Sequence, residues 1–282
     1  MEASILMKRI FQKTTFQEIS SELSVMGRYI KINLVAAAEL RLSFLMQVVG
    51  MIVNNVSFVV VWLLFFNAFG TINGWSGKEV IGLQGFLAVA FGIAFSFFAG
   101  SRDLDSFINN GTFDSILLTP RNLYLRILTA TATTSAIGDA IFGIVLSGIY
   151  IYTAHLSLTQ VFLLASLVPP VVTIFINFAL ITSCIGFYMP DSTQLSRDAF
   201  EIMLGPSLYP SGMYQGIIRF VFLVIVPSIA VGGLPIEAVA NLDIFKVGIV
   251  WILAAAWFLI ALFVLRHGVR RYESANLTGA RV

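Results

Sequence analysis

The sequence has very little charge. Of its 282 residues, 11% are Asp, Glu, Lys or Arg, whereas 58% are hydrophobic and the mean hydropathy is +0.90. Soluble domains carry roughly 25% charged residues. This scarcity of charge excludes an ordinary soluble protein and indicates a chain whose main solvent is lipid. The 25 phenylalanines add bulky apolar surface of the kind that faces acyl chains.

Cysteine, histidine and nucleotide-binding motifs are equally scarce. The single cysteine, Cys184, excludes a disulfide within the chain and argues against a metal cluster. The two histidines, His155 and His267, are far apart in sequence and lack clustered partners, which argues against a catalytic triad. The chain also lacks the G-x-x-x-x-G-K-[ST] loop that would hold ATP. These absences indicate a protein that is not an enzyme and has no metal site.

Residues 1–42 mix charged and apolar side chains ahead of the first long hydrophobic run. In their second half, Arg28, Lys31 and Arg41 alternate with apolar residues, as in an amphipathic helix at a membrane surface. We predict an interfacial elbow helix there, within a cytoplasmic N-terminal segment. For residues 1–20, an ordinary polar extension is an equally good interpretation.

Six hydrophobic runs follow, and each is tested against the roughly 20 residues that a transmembrane helix needs. They lie near 43–68, 81–100, 125–152, 160–188, 215–232 and 245–265. We therefore predict an all-α integral membrane protein with a six-span domain over residues 43–265 and a cytoplasmic tail over residues 266–282. The fifth run is the weakest because Pro227 interrupts it. The stretch over residues 226–235 predicts a re-entrant segment, although a simple kink explains it equally well.

The basic residues predict the orientation. If both termini are cytoplasmic, 15 of the 17 basic residues lie inside and only Lys78 and Lys246 lie outside, as the positive-inside rule requires. Arg219 is counted among the inside residues. The same orientation predicts cytoplasmic loops over residues 101–122 and 190–214.

The loop over residues 101–122 is the longest polar interruption between the hydrophobic runs. Leu104, Phe107 and Ile108 fall on one face of a short helix. Asp103 lies in the first turn of that helix, where a carboxylate suits the helix dipole. The pattern predicts a helix with one apolar face.

A second short helix follows in the same loop. Gly111 is expected to end the first helix, and Thr112 to cap the second, with Asp114 in its first turn. Pro120 then limits its length. A pair of short capped helices between membrane spans is typical of a docking element.

Polar residues inside the predicted spans are few. Asp139 is the one acid near the middle of a span, and a charge at that depth by default suggests function. It could bind a proton or cation, line a substrate path, or make a structural hydrogen bond. Small neighbours such as Gly143 permit close helix packing, and no second buried acid or base is present, so we favour the structural role. Asn54, Asn55 and Asn177 could likewise bond across helices or line a pathway.

Three prolines, Pro169, Pro170 and Pro227, lie within predicted spans. Each removes a backbone hydrogen bond, so kinks are expected that protein or water must cover. Such kinks would suit a gate, and plain kink geometry explains them equally well.

The motif Asn110-Gly111-x-Phe113-Asp114-x-x-Leu117-Leu118-x-Pro120 resembles the G-x-L-D-x-x-L-x-x-P loop of ABC type-2 exporter permeases. The stretches NGWS at 73–76, YPSGMY at 209–214 and RYESA at 271–275 are similar to the six-span bacterial branch of that family. Order and spacing match from residue 25 onward, with Phe113 where leucine is usual.

The resemblance implies the permease subunit of an ATP-binding-cassette exporter in the bacterial inner membrane. Two permeases, identical or homologous, would form the pathway among membrane lipids, and two partner ATPase subunits would bind ATP and Mg²⁺. No cofactor in this chain and no nucleic acid is expected. The coupling element would span Asp103–Leu118, with the apolar residues filling a groove on the ATPase. Its residues are Asp103, Leu104, Phe107, Ile108, Gly111, Phe113, Asp114 and Leu117.

The elbow helix would flank this coupling element, and the kinked fifth span would lie near the outer gate. An aromatic-rich, weakly charged interior would suit an amphiphilic drug, as in multidrug efflux, or a lipid or lipid-linked molecule. The alternative is a self-sufficient secondary transporter or channel with Asp139 as its ion-coupling site. A non-transporting membrane scaffold is the third possibility.

Overall fold

The computed structural model describes residues 24–32, 35, 39, 41–119 and 122–272, and the regular elements among them are helical. In chain order they are α1 (Arg41–Phe69), α2 (Gly77–Phe98), α3 (Gly100–Asn109), α4 (Phe113–Leu118), α5 (Leu123–Leu128), α6 (Ser135–Thr153), α7 (Leu158–Ser183), α8 (Thr193–Ser207), α9 (Gly216–Phe220), α10 (Ser228–Val231), α11 (Gly233–Ala240) and α12 (Ile244–Arg271). Short 3-10 turns follow α7 and α8, at Cys184–Phe187 and Ser211–Met213, and a π-helical turn, Val221–Ile225, continues α9. Residues 24–32 are also helical. The predictions for residues 1–20, for Pro120 and for the tail beyond residue 272 lie outside the described residues.

Among the described residues, five helices are long and apolar enough to cross a membrane: α1, α2, α6, α7 with its 3-10 turn, and α12. The prediction of an all-α membrane protein is therefore confirmed. The run predicted near 125–152 is divided in the structure, because α5 ends at Leu128 and α6 begins only at Ser135. Between them the Thr133 N–H donates to the Phe95 carbonyl, 2.9 Å away. Asp139 consequently lies one turn inside α6 rather than near the middle of a span.

Side-chain caps define where three long helices begin. Ser76 and Glu79 form a reciprocal capping box at the start of α2, and Ser157 and Gln160 form another at the start of α7. The Asp243 carboxylate accepts from the first N–H groups of α12. Each cap satisfies backbone donors that a helix end leaves without partners. These helix starts are thus encoded locally.

Glycines allow α2 and α6 to pack closely. A Cβ on Gly92 would lie 2.4 Å from the Ala140 amide nitrogen, and one on Gly143 would lie 2.4 Å from the Val89 amide nitrogen. Only glycine permits such an approach, as the small residues around Asp139 predicted. Many phenylalanines are also internal rather than facing lipid: Phe95, Phe175 and Phe200 are fully buried.

The helix bundle has two ends. The basic end is where α1 begins and where α2, α7 and α12 finish, and it carries α3, α4 and α5. The far end is formed by the loop of residues 70–76, the turn of residues 154–157 and the turn of residues 241–243.

The run predicted as the fifth span, residues 215–232, is broken. Its helical pieces are α9 with the π-helical turn, and then α10. Val226 between them is extended (φ −121°, ψ 92°), and Pro227 has no N–H to donate. This segment therefore forms no continuous spanning helix, and the prediction of six spanning helices is not confirmed.

Residues 190–214, predicted as a cytoplasmic loop, instead connect the two ends. Near the start of α8, Asn109 Nδ2 donates to the Thr193 hydroxyl at 3.4 Å. Beyond its end, Asn73 Nδ2 donates to the Gly212 carbonyl at 2.8 Å. Asn73 belongs to a predicted outer loop and Asn109 to a predicted cytoplasmic loop, so the prediction of a wholly cytoplasmic segment is wrong. The charged residues of α8 lower the hydropathy of this segment, so hydropathy did not predict the connection.

Arg219 is also at the far end. Its Nη2 lies 3.4 Å from Glu237 Oε2, and Lys246 Nζ lies 2.8 Å from the same oxygen. Because Lys246 was predicted outside, counting Arg219 as an inside residue was wrong. The Ser211 hydroxyl donates to the other oxygen of Glu237, which ties the chain after α8 to α11.

Candidate coupling surface and intramembrane cavity

The turn between α3 and α4 depends on Gly111. Its φ of 72° lies in the left-handed region that favours glycine, and α3 ends two residues before it. Gly111 thus ends the helix as predicted. Thr112 does not cap α4 with its side chain, because its hydroxyl donates instead to the Phe107 carbonyl at 3.3 Å.

The apolar face of this helix pair packs against its own chain. Leu104 and Phe113 are both 0% exposed. The Phe113 ring makes edge-on contacts with Phe187 and Tyr272, with centroids 5.5 and 4.9 Å apart. The prediction that Leu104 and Phe113 fill a groove on a partner is therefore wrong, since the bundle end already occupies them. Phe107 is half-buried.

Ile108 and Leu117, two further residues of the predicted coupling element, are half-buried as well. Both pack against the core of the bundle.

The two predicted coupling acids also bind within the chain. The Thr131 hydroxyl donates to Asp103 Oδ2 at 2.6 Å, and the Tyr272 hydroxyl donates to Asp114 Oδ1 at 2.9 Å. These bonds fasten α3 to the turn before α6, and α4 to the end of α12. Asp114 is therefore more than a helix cap.

Arg102 joins α3 to α8. Its guanidinium carbon lies 4.9 Å from the centre of the Phe95 ring and 4.8 Å from that of Phe200, within cation–π distance. Its Nη2 lies 3.9 Å from Glu201 Oε1. The helix pair is thus seated on α2 and α8.

The outward face of the helix pair is exposed, and as the candidate for contact with a partner we call it the docking surface. It consists of the exposed residues Asn109, Asn110, Thr112, Ser115 and Leu118. Leu118 is 81% exposed and is the large apolar residue of this surface. The apolar residues that the sequence predicted to contact a partner lie on the opposite, inward face.

Asp105 is a further acid in α3 whose place the sequence did not reveal. It is 0% exposed, and neither carboxylate oxygen has a hydrogen-bond partner among the described residues. Gly186 presses on it so closely that a Cβ there would lie 2.8 Å from the Asp105 Cα. Burial raises the pKa of Asp105 above its ordinary value, because a carboxylate is poorly solvated there.

Asp139 lies in a cavity between α1, α2, α6 and α8. Asn55 Nδ2 donates to Asp139 Oδ1 at 2.6 Å, which joins two of the predicted intramembrane residues across helices. The cavity measures about 180 Å³. Its walls are Met51, Asn54, Asn55, Gln84, Leu87, Ala88, Phe91, Asp139, Phe142, Leu204 and Leu208.

Asn177 lies elsewhere. It is fully buried in α7, accepts a hydrogen bond from the Tyr124 hydroxyl at 2.9 Å and donates to the Thr173 carbonyl at 2.7 Å. These contacts tie α5 to α7 and keep Asn177 out of the cavity.

The predicted proline sites differ from each other. Pro169 and Pro170 lie within α7, which continues through them, and the Thr173 hydroxyl covers the Pro169 carbonyl at 2.9 Å. Pro227 stands at the break before α10. Only the last interrupts a helix.

The residues predicted for the elbow flank the basic end. The Arg126 guanidinium carbon lies 4.0 Å from the centre of the Tyr29 ring, so the helical residues 24–32 contact α5. Arg28, Lys31 and Arg41 are exposed.

In the part of the chain that the structure describes, a helical bundle with five helices long and apolar enough to cross a membrane, and short polar helices seated on one end, indicates a multi-pass membrane protein. Over residues 51–276 the chain matches the family model described as ABC-2 family transporter protein. It therefore belongs to the ABC-2 family of transporter proteins, which confirms the resemblance to ABC type-2 permeases. No curated protein and no solved structure matches it. The family points to a transport subunit rather than an enzyme, and its permeases generally work with ATPase subunits.

Proposed function

We propose that this chain is the permease subunit of an ATP-driven exporter and that the docking surface receives its ATPase. Family membership carries this proposal, and the seating of α3 and α4 supports it. Phe113, Asp103 and Asp114 fasten the helix pair to the bundle, so a push on Leu118 would be passed on to the turn before α6 and to the end of α12. ATP and Mg²⁺ belong to the partner in this proposal, and this chain holds no cofactor.

Six membrane crossings are part of the proposal, with the fifth made by α8 and the turn after it. The bonds at Thr193 and Gly212, at opposite ends of the bundle, support this crossing. The broken segment from α9 to α11 would then be re-entrant at the far end, which keeps the number of crossings even and both termini on one side.

The basic end is proposed to face the cytoplasm of a bacterial cell. Arginines at this end include Arg102, Arg126, Arg266, Arg270 and Arg271, whereas Lys78, Arg219 and Lys246 lie at the far end. The positive-inside rule favours this orientation across an inner membrane. The helical residues 24–32 would then lie on the cytoplasmic surface as the elbow.

A second permease, identical or homologous, is proposed to complete the pathway, with two ATPase subunits beneath the pair. Helix α1 supports this arrangement because most of its circumference is uncovered. Val53, Val60 and Leu64 are 59%, 45% and 64% exposed. The cavity around Asp139 borders this helix, so a second copy would enclose it.

The test is co-purification of the full-length permease with its ATPase subunit, followed by ATP hydrolysis in lipid nanodiscs. Leu118→Asp puts a charge into the docking surface, and we expect permease-coupled hydrolysis to fall about tenfold, since hot-spot contacts exceed about 1.4 kcal/mol. The matched control is Leu242→Asp, an exposed leucine at the far end. It is expected to keep wild-type coupling.

A complex that forms and hydrolyses ATP normally with Leu118→Asp would refute this docking surface. Failure of the wild-type protein to bind an ATPase would refute the exporter itself. The secondary-transporter alternative is less favoured because Asp139 is the single buried acid in the five described helices that are long enough to span, and no basic residue lines its cavity.

A further inference from the structure

One carboxylate oxygen of Asp139, at the cavity, has no hydrogen-bond donor in the described part of the chain. Asp139 is 4% exposed, and its Oδ1 is bonded to Asn55. Its Oδ2 is buried and has no hydrogen-bond partner among the described residues. A buried, unpaired carboxylate oxygen is costly, so a ligand that supplies a donor to it would be stabilised.

The other polar groups of the cavity, Asn54, Asn55 and Gln84, do not donate to that oxygen. Gln84 Nε2 is committed to the Leu208 carbonyl at 2.8 Å. Asn55 Nδ2 is committed to Asp139 Oδ1. None of the wall residues is Lys, Arg or His, so no cation within the cavity balances the acid.

The remaining walls are apolar. Met51, Leu87 and Leu204 surround the acid, with the rings of Phe91 and Phe142 beside them. Such walls take a hydrophobic body, and aromatic faces attract organic cations. An uncompensated acceptor beside apolar cavity walls therefore favours an apolar molecule with one charged N–H donor.

We propose that this cavity binds amphiphilic amines, whose ammonium N–H donates to Asp139 Oδ2 while the hydrocarbon part contacts Met51, Leu87 and the two phenylalanines. This inference rests on the proposed exporter function and deepens it, because it gives the chemical class of the substrate. The amine nitrogen keeps its proton on binding, so no covalent step is involved.

The test is equilibrium binding of radiolabelled 4-phenylbutylamine to the full-length permease in phosphatidylcholine nanodiscs. Binding is measured without the ATPase, so its outcome is separate from that of the docking experiment. Asp139→Asn keeps the side-chain shape, and we expect at least about tenfold weaker binding, the size of a lost charge-assisted hydrogen bond. The matched control is Asp198→Asn, which removes an exposed acid of α8 outside the cavity.

Two competing ligands separate the contribution of the positive charge from that of the N–H donor. Unlabelled 4-phenylbutanol has the same body without the charge and should compete poorly, and the trimethylammonium analogue has the charge without the N–H and should compete less well than the amine. Leu204→Trp, which fills the cavity without altering the acid, should also abolish binding. It provides a second test if Asp139→Asn fails to fold.

Equal binding of the amine by wild type and Asp139→Asn, or equal competition by the alcohol, would overturn the proposal. Nanodiscs containing phosphatidylethanolamine distinguish the two sources of an ammonium group. Weakened amine binding in them would assign the site to an aminolipid headgroup, and unchanged binding would assign it to a free organic amine. Either result requires the same donor to Asp139.

Discussion

Two buried aspartates, Asp105 and Asp139, occupy different environments. Asp139 keeps one hydrogen bond, from Asn55, and faces a cavity. Asp105 is sealed against Gly186 and has no hydrogen-bond partner among the described residues. Asp139 can accept a hydrogen bond from a ligand, whereas Asp105 affects the stability of the fold.

Replacing Asp105 by asparagine should stabilise the protein at neutral and alkaline pH. Burial raises the pKa of Asp105, so the folded protein binds this proton more tightly than the unfolded chain. Wild-type stability therefore falls as pH rises from about 3.9, the pKa of an unfolded aspartate, through the raised folded pKa. Asp105→Asn removes this loss, which thermal unfolding at several pH values will measure.

The unfolding temperature of Asp105→Asn should exceed that of the wild type at pH 8, and the difference should shrink as the pH approaches 4. Asp198→Asn changes an exposed acid of the same charge and should follow the wild type throughout. A difference independent of pH would mean that burial of the charge is not the cause.

Among the helices, α2 and α6 depend most visibly on small residues. Gly143 faces the backbone of α2, whereas Gly148, less than two turns further along α6, faces open space. Replacing each glycine by alanine therefore separates two effects on stability, the contact between α2 and α6 at Gly143 and the helix propensity of the residue at Gly148. The two effects have opposite signs.

Gly143→Ala should destabilise the protein by about 1–3 kcal/mol, because its methyl group meets the Val89 and Ala88 backbone, which cannot move aside. Gly148→Ala should be neutral or stabilising by up to about 1 kcal/mol, because alanine is the better helix former. Reversible unfolding in mixed micelles compares them. Equal effects at both positions would contradict the contact between α2 and α6.

The path of the chain between the two ends is decided by α8. Its start bonds to α3 and its following turn bonds to the loop after α1. Residues beyond it, including Gln215, therefore belong to the far end together with Leu242. Asn110 belongs to the opposite end.

Labelling of single cysteines tests this path. The native Cys184 is buried and can be replaced by serine to give a silent background. A membrane-impermeant maleimide added to intact cells should label Gln215→Cys and Leu242→Cys, but Asn110→Cys only after permeabilisation. Labelling of Gln215→Cys together with Asn110→Cys would instead restore the cytoplasmic loop that hydropathy predicted.

Much of this protein follows from local sequence. Hydrophobic length alone identifies α1, α2, α7 and α12, and caps such as Ser76 set where helices begin, because both depend on neighbours along the chain. Gly111 likewise marks the end of α3 through its own backbone preference. The resemblance to ABC type-2 permeases also rested on short motifs, and family membership confirmed it.

Three features were decided only by tertiary contacts. The charged helix α8 connects the two ends because Asn109 bonds near its start and Asn73 bonds beyond its end, contacts that no periodicity encodes. The apolar stripe of α3 and α4 faces inward because Phe187 and Tyr272, distant in sequence, meet Phe113 there. Asp139 Oδ2 is unpaired because the helices that line its cavity, α1, α2, α6 and α8, bring no donor to it. Each depends on residues brought together from far along the chain, where hydropathy and spacing carry no information.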